Sequence, residues 1–423
     1  DDAGGGAGGG AGTGGGGGGG IVGLAAEPEA IAQLGDKLLV AGAMNGDFFV
    51  ARYELDGTLD TTFADQGVVT IDFGGSTGGI YAQNVDHAYA LAATEDAIFV
   101  AGAARAIAGA GAASLAIAKL SVDGALDLGF GNAGLAITTT AVPMRWNRVH
   151  VADSGSLYAV GTVYNGASLV EDVVAARLTS AGALDASFSL MGGGAGAIPQ
   201  RAGSQLGTAS ALVADGIVAG GGPGFPVDKF DLDGQFDGTF GVAGTYAGTG
   251  GDLHGLLALA DGGFLLVGLT TSPETELRDR LKLVKLDADG LADPGFGTNG
   301  IVEVPYDLTA LVLPSGDTVE GGFLSIRGLA LAGDGDLLVY VSTLGLLNVY
   351  PTVARIDLVA ESAEAGFGTD GLWVFQASLP LLGDLLDASE PANQAVRIGD
   401  TLYVVDQRVD EAHSGVWVGS VPL

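Results

Sequence analysis

The chain contains no cysteine, which removes disulfides, thiolate nucleophiles and Cys-ligated metals from consideration. Basic residues are scarce: 17 Lys plus Arg stand against 50 Asp plus Glu, a net charge of −33. Such a surface repels phosphate backbones and anionic lipid, so nucleic acid is not an expected partner. Long apolar runs are missing as well. The nearest, AGAARAIAGAGAASLAIAKL, is interrupted by Arg105 and Lys119, and no transmembrane span is expected. No Ser-His-Asp order, phosphate-cradling loop or close carboxylate pair stands out, so no catalytic residue is assigned.

What the chain has in excess is glycine, 75 residues, without the three-residue period of collagen. The first twenty residues, DDAGGGAGGGAGTGGGGGGG, offer no side chains for a core and lose much entropy on ordering. Residues 1–20 are therefore expected to be a disordered tether reaching about 25 Å, and 21–423 a folded domain. Glycine-rich leaders of this kind resemble the segment that follows the lipidated cysteine of bacterial lipoproteins. A lipid anchor before residue 1 is one expectation, an unanchored linker the other.

One phrase recurs in the folded part. It reads DGTLDTTFADQG at 56–67, DGALDLGFGNAG at 123–134, AGALDASFSLMG at 181–192, DGQFDGTFGVAG at 233–244, DGLADPGFGTNG at 289–300 and, degenerate, AESAEAGFGTDG at 360–371. All six copies keep a phenylalanine (Phe63, Phe130, Phe188, Phe240, Phe296 and Phe367) and a closing glycine. Each copy follows three apolar runs and precedes a fourth. In the first unit these are EAIAQL, KLLVAG and FFVARY, then VVTIDF. Four short strands per unit, labelled a to d, are the mark of propeller blades. Asp-Gly supplies the bend, since glycine accepts positive φ and the carboxylate accepts nearby N–H groups. The Leu and the Phe are expected to pin the c–d connection onto its own blade.

After the sixth phrase the chain still carries AVRIG, TLYVVD and VWVGSV, strands a, b and c of another blade. The missing strand d has a candidate in IVGLAA at 21–26. The expectation is an all-β fold: a seven-bladed β-propeller of four-stranded antiparallel blades, the last closed by the N-terminal strand. A six-bladed ring is the alternative. At about 58 residues per blade the length agrees.

The pattern DG-x-LD-x-x-FG-x-x-G between strands resembles the delta-60 repeat of secreted and surface proteins in certain Gram-negative bacteria. Ala181 in the third copy and Ala360-Glu361 in the sixth depart from it. The resemblance implies a propeller and an extracytoplasmic location, either secreted or as an outer-membrane surface lipoprotein. It supplies no catalytic residues.

Three groups invite chemistry. MRWNR at 144–148 places Arg145, Trp146 and Arg148 in an acidic chain. Read as a d–a loop, it is a candidate binding hot spot, with a wedge between blades as the plainer role for Trp146. His87, His150 and His254 fall in or near strand a, where a metal or ordinary polar wall residues would both fit; His413 is the fourth histidine. Asp231, Asp233 and Asp237 in DLDGQFD approach a calcium loop but lack its alternating spacing and late Glu. Turn formation explains them, and no cofactor is otherwise implied.

The b–c loops vary from MNGD at 44–47 to TTSPETELRDR at 270–280, as recognition surfaces do on a constant scaffold. The leading expectation is a monomeric, non-enzymatic propeller that binds a protein or glycan through its b–c and d–a loops. One alternative is a polysaccharide hydrolase or lyase using the axial channel, which requires converging acidic or histidine side chains there. A structural envelope component is the other.

Overall fold

The phrase that repeats in sequence repeats in shape. In its first copy Gly57 and Gly67 take φ of 85° and 96°, values that side chains on Cβ disfavour. The Asp56 carboxylate accepts the N–H and hydroxyl of Thr58, an Asx turn that reverses the chain after strand c. The computed structural model describes residues 26–74, 86–105, 113–138, 144–165, 170–188, 209–271, 273, 279–306, 308, 311, 319–345, 348–375, 379–380, 393–409 and 414–423. The glycine-rich segment 1–20 and the strand expected at 21–26, apart from Ala26, lie outside these residues.

Bends of this kind divide the apolar runs into seven antiparallel sheets around one axis, a seven-bladed β-propeller. In blade 1 the strands are a, Glu27–Leu34; b, Lys37–Met44; c, Asp47–Glu54; and d, Val68–Ile71, in that order across the sheet. Blade 2 repeats this with His87–Ala93, Ala97–Arg105, Ala113–Ser121 and Leu135–Thr138. In blade 3, Met144–Val151, Leu157–Asn165 and Val170–Leu178 supply a, b and c. Strand a is Ala209–Val213 in blade 4, Asp252–Ala258 in blade 5, Val319–Leu331 in blade 6 and Ala395–Ile398 in blade 7. Blade 7 ends with b, Thr401–Val409, and c, Ser414–Pro422.

The a strands neighbour one another in a closed cycle, the last against the first. Tyr403, Val405, Val416 and Val418 of blade 7 share one core cluster with Ile31, Val40 and Phe49 of blade 1. That packing makes the ring seven-bladed and excludes six.

The phrase phenylalanine does more than the sequence suggests. Its ring lies under the glycine at the second position of the following blade's phrase. A Cβ on Gly124 would stand 2.8 Å from the Phe63 ring, one on Gly182 2.9 Å from Phe130, and one on Gly290 2.6 Å from Phe240. The residue after the phenylalanine then donates its N–H to the next phrase, Ala64 to the Asp123 carbonyl and Gly241 to that of Asp289. Phe63 thus packs with Leu39, Val50 and Ile71 of its own blade and also clamps blade 1 to blade 2. The leucine takes the expected local part, with Leu59 packed over the closing Gly67.

The basic residue of strand c completes the clamp. Arg52 sits over the Phe63 ring at 4.9 Å and pairs with Asp60 at 2.8 Å. Arg177 does the same with Phe188 and Asp185. The hydroxyls of Thr62, Ser187 and Thr239 hold the carboxyls of Asp60, Asp185 and Asp237 below the ordinary 3.8. Lys119 does so for Asp127, and the Gly295 N–H for Asp293. Carboxylates depressed in the fold contribute stability above their unfolded pKa and surrender it as pH falls through the folded value. These five should therefore leave stability level between about pH 8 and about pH 5 and withdraw it below about 3.8, as denaturant midpoints across that range would measure.

Candidate functional site

The seven a strands wall the axis, and five of them carry a bulge where the sequence shows no break. Register slips between Pro28 and Ala30, Ala88 and Ala90, Trp146 and Arg148, Leu253 and Gly255, and Ile326 and Gly328. Strand b answers with glycine. A Cβ on Gly42, Gly102 or Gly268 would strike the carbonyl of Glu27, His87 or Asp252 across the bulge, which is why the b runs end near glycine. Bulges break alternation and re-aim side chains. The inserted residues are Glu29, Tyr89, Asn147, His254 and Arg327, all polar and at one level of the ring.

At this level polar groups meet from different blades. His87 Nε2 lies 3.4 Å from Glu29 Oε1, and its ring stacks on Tyr89 at 4.5 Å. Gln394 Nε2 donates to the Pro28 carbonyl at 3.1 Å and reaches Glu29 at 3.4 Å. Tyr340 donates to Asp406 at 2.7 Å. Burial raises the Asp406 pKa, the Arg327 charge works against that rise, and Glu29 adds to it.

Asn393 crosses the channel below this collar. Its amide donates to the carbonyls of Tyr89 and Asn147, both at 2.7 Å, and its own carbonyl accepts the Ile31 N–H at 3.0 Å. One side chain of blade 7 therefore braces blades 2 and 3 while its backbone holds blade 1.

On the other side of Asn393, toward the a–b turns, lies a cavity of about 380 Å³. Ile31, Leu91, Leu257 and Leu329 line it from blades 1, 2, 5 and 6, although polar atoms supply most of its exposed surface. Blades 3 and 4 contribute Arg148, His150 and Ser210. His150 Nε2 and Ser210 Oγ are 2.8 Å apart. Burial lowers Arg148 to about 10. Burial, and then the Arg148 charge, lower His150 to about 4, so near neutrality the imidazole is uncharged and the guanidinium is not. No Asp or Glu is among the described lining residues. Exposure rises along the strands toward the turns, from buried Ala209–Ala211 to half-buried Leu212, and from buried Leu256 to exposed Ala258. The cavity accordingly opens on the a–b face, opposite the loops where a site was expected.

MRWNR is not a d–a loop: it begins strand a of blade 3. Arg145 pairs with Thr162 of strand b. Trp146, 2% exposed, packs with Phe99, Leu115 and Ile117 of blade 2, so it presents no surface to a partner. The bulge at Asn147 separates the two orientations and leaves Arg148 to the cavity. Trp146 thus takes the plainer of its two expected roles, a wedge between blades, while composition cannot reveal the bulge that turns Arg148 inward.

The histidines do not gather. His150 lines the cavity, His87 and His254 stand at the collar, and His413 lies outside the described residues. Asp231, Asp233 and Asp237 also part company. Asp231 accepts the N–H groups of Asp233 and Gln235, Asp233 pairs with Arg177, and Asp237 binds Thr239. The group of three metal-type ligands among the described residues is another one, Asp47, Asp72 and Asp86, within 4.8 Å of one another. Most residues of the longer b–c and d–a loops, including much of 270–280, lie outside the described residues. No described helix is long and apolar enough to cross a membrane.

A family model described as a β-propeller domain of unknown function (DUF5122) matches residues 36–63, which run from strand b to the phrase phenylalanine of blade 1. No curated protein matches the sequence. Among solved structures the chain is similar to hydrazine synthase of Kuenenia stuttgartiensis, with TM-score 0.46, 11% identity and coverage of 95% of this chain and 97% of that one. It is similar to an ulvan lyase bound to -[GlcA(1-4)Rha3S]-, with TM-score 0.47, 10% identity and coverage of 95% and 96%. A third is the α-L-arabinanase of Penicillium chrysogenum, with TM-score 0.39, 12% identity and coverage of 96% and 95%.

Proposed function

We propose that the protein is a non-enzymatic binding propeller of the delta-60 type, secreted or held at a bacterial surface by its glycine-rich leader, and that its ligand occupies the axial cavity. The observation that carries this reading is the cavity's composition. Its exposed surface is mainly polar, with Arg148, His150, Ser210 and Asn393 converging between aliphatic side chains, and no carboxylate for acid–base hydrolysis is among its described lining residues. A histidine held at about 4 is a weak base near neutrality. Ala258→Trp tests the proposal, because this exposed residue stands at the mouth of the cavity. Small molecules that raise the melting temperature of the wild-type protein should leave this variant's unchanged. At a hundred-fold excess over Kd the stabilisation is about 2.7 kcal/mol. Equal stabilisation of both proteins would remove the ligand from the axis.

A second reading, an enzyme acting on polysaccharide, is favoured by the Glu29–His87 pair beside Tyr89 at the collar. It requires new reducing ends or unsaturated products from an acidic polysaccharide, lost on Glu29→Gln.

A further inference from the structure

We infer that the axial cavity takes one neutral sugar residue, seated by hydroxyl contacts to Ser210, His150 and Asn393. The inference deepens the axial-binding reading and rests on it.

The placement of protons is the first argument. Asn393 gives both hydrogens of its side-chain amide to the Tyr89 and Asn147 carbonyls, so to a ligand it offers only its oxygen. Ser210 Oγ and His150 Nε2 lie 2.8 Å apart, and burial keeps the imidazole neutral near pH 7. With its proton on Nδ1 the ring accepts the serine O–H and leaves Oγ as an acceptor. With the proton on Nε2 the ring donates, and the serine hydroxyl becomes a donor to the cavity. A ligand hydroxyl, which both donates and accepts, suits either state. A carboxylate only accepts and has nothing to give the Asn393 oxygen, while Arg148 is already engaged within the protein. An ammonium group only donates, and it meets the charge of Arg148 that helps to depress His150.

Surface and shape are the second. Polar atoms supply most of the exposed cavity surface, and the polar side chains of blades 3, 4 and 7 are separated by Leu91, Leu257 and Leu329 of blades 2, 5 and 6. Hydroxyls alternating with C–H groups around a ring match such a wall. An alkyl chain would strip water from the polar atoms and return no hydrogen bond. Asn393 spans the channel on the collar side, and exposure rises toward the a–b turns. A recess of about 380 Å³ that opens on one side lies at the small-ligand end of binding cavities. It admits a free sugar or the last residue of a glycan, and not an internal stretch of one.

The test is calorimetry at pH 7 on the full chain with glucose, galactose, mannose, xylose and rhamnose, each free and as its methyl glycoside. At least one should bind, and at least about ten-fold more tightly than glucuronate, glucosamine or hexan-1-ol. Ser210→Ala should weaken that binding about five-fold. The imidazole proton shifts of His150 should move with the sugar in the wild-type protein and stay fixed in Ala258→Trp. Methyl glycosides that bind as well as the free sugars assign the cavity to a glycan end, and binding of free sugars alone assigns it to a solute. No binding by any of these sugars, equal binding of glucuronate, or an affinity untouched by Ser210→Ala would overturn the inference. Equal binding of hexan-1-ol that Ala258→Trp abolishes would overturn the sugar and leave axial binding standing. If library compounds also fail to discriminate wild type from Ala258→Trp, the axial-binding reading falls with it.

Discussion

Gly124→Ala should destabilise the folded ring by about 2–5 kcal/mol, which is large for one methyl group. Two penalties combine. The backbone at Gly124 has φ of 89°, where an L-residue pays roughly 1–2 kcal/mol. The new methyl would also stand 2.8 Å from both the Phe63 ring and the Ala64 Cβ, an overpacking of about 1–3 kcal/mol. Phe63→Ala separates them. Alone it should cost about 3–5 kcal/mol as a core cavity, but in that background Gly124→Ala should lose the steric cost imposed by the ring and retain its backbone part and the contact with Ala64. A coupling of about 1–3 kcal/mol in the double-mutant cycle is the expected result. Strict additivity would mean that the Phe63 ring imposes no cost on a side chain at 124, and that the phenylalanine does not lock one blade to the next.

The ring itself was legible because its signals are local. KLLVAG and FFVARY became strands b and c of blade 1 since apolar alternation between Asp-Gly bends leaves few other conformations. The blade count followed from repetition. What repetition could not convey was the partner of each repeated residue. Phe63 recurs as Phe130 and Phe188, yet nothing in the spacing says that each ring lies under the next blade's glycine. The site was harder still. A bulge adds one residue without altering composition, so nothing in the sequence singled out Glu29 or Arg327, and Asn147 stood in a segment read as a loop. The b-strand glycines Gly42, Gly102 and Gly268 were the available signal, visible in sequence but without a stated reason. Asn393 lay in PANQ, which carries no pattern, and its role as a brace depends on three blades meeting it.

The joint between blades 6 and 7 invites the other large effect, because a charge is buried there. Asp406 is 2% exposed and Arg327 5%. Tyr340 of blade 6 donates to Asp406 of blade 7, and the Gln407 N–H donates to its other oxygen at 2.8 Å. Burial raises the Asp406 pKa above 3.8, and the Arg327 charge is the largest influence opposing it. Arg327→Met would leave that carboxylate without its cation and should cost about 3–5 kcal/mol at pH 7. The pH dependence gives the signature. A carboxyl whose folded pKa is raised is stabilising while protonated, and that contribution disappears as pH climbs from the unfolded to the folded value. Removing Arg327 raises the folded value further, so the deficit of the variant should shrink as pH is lowered from 7 toward 5 in unfolding experiments. Asp406→Asn in the same background should restore most of the loss at pH 7, since the neutral amide keeps an acceptor and needs no cation. A deficit that is independent of pH, and unrelieved by Asp406→Asn, would assign the cost to lost packing of the arginine stem and not to an uncompensated charge at the joint.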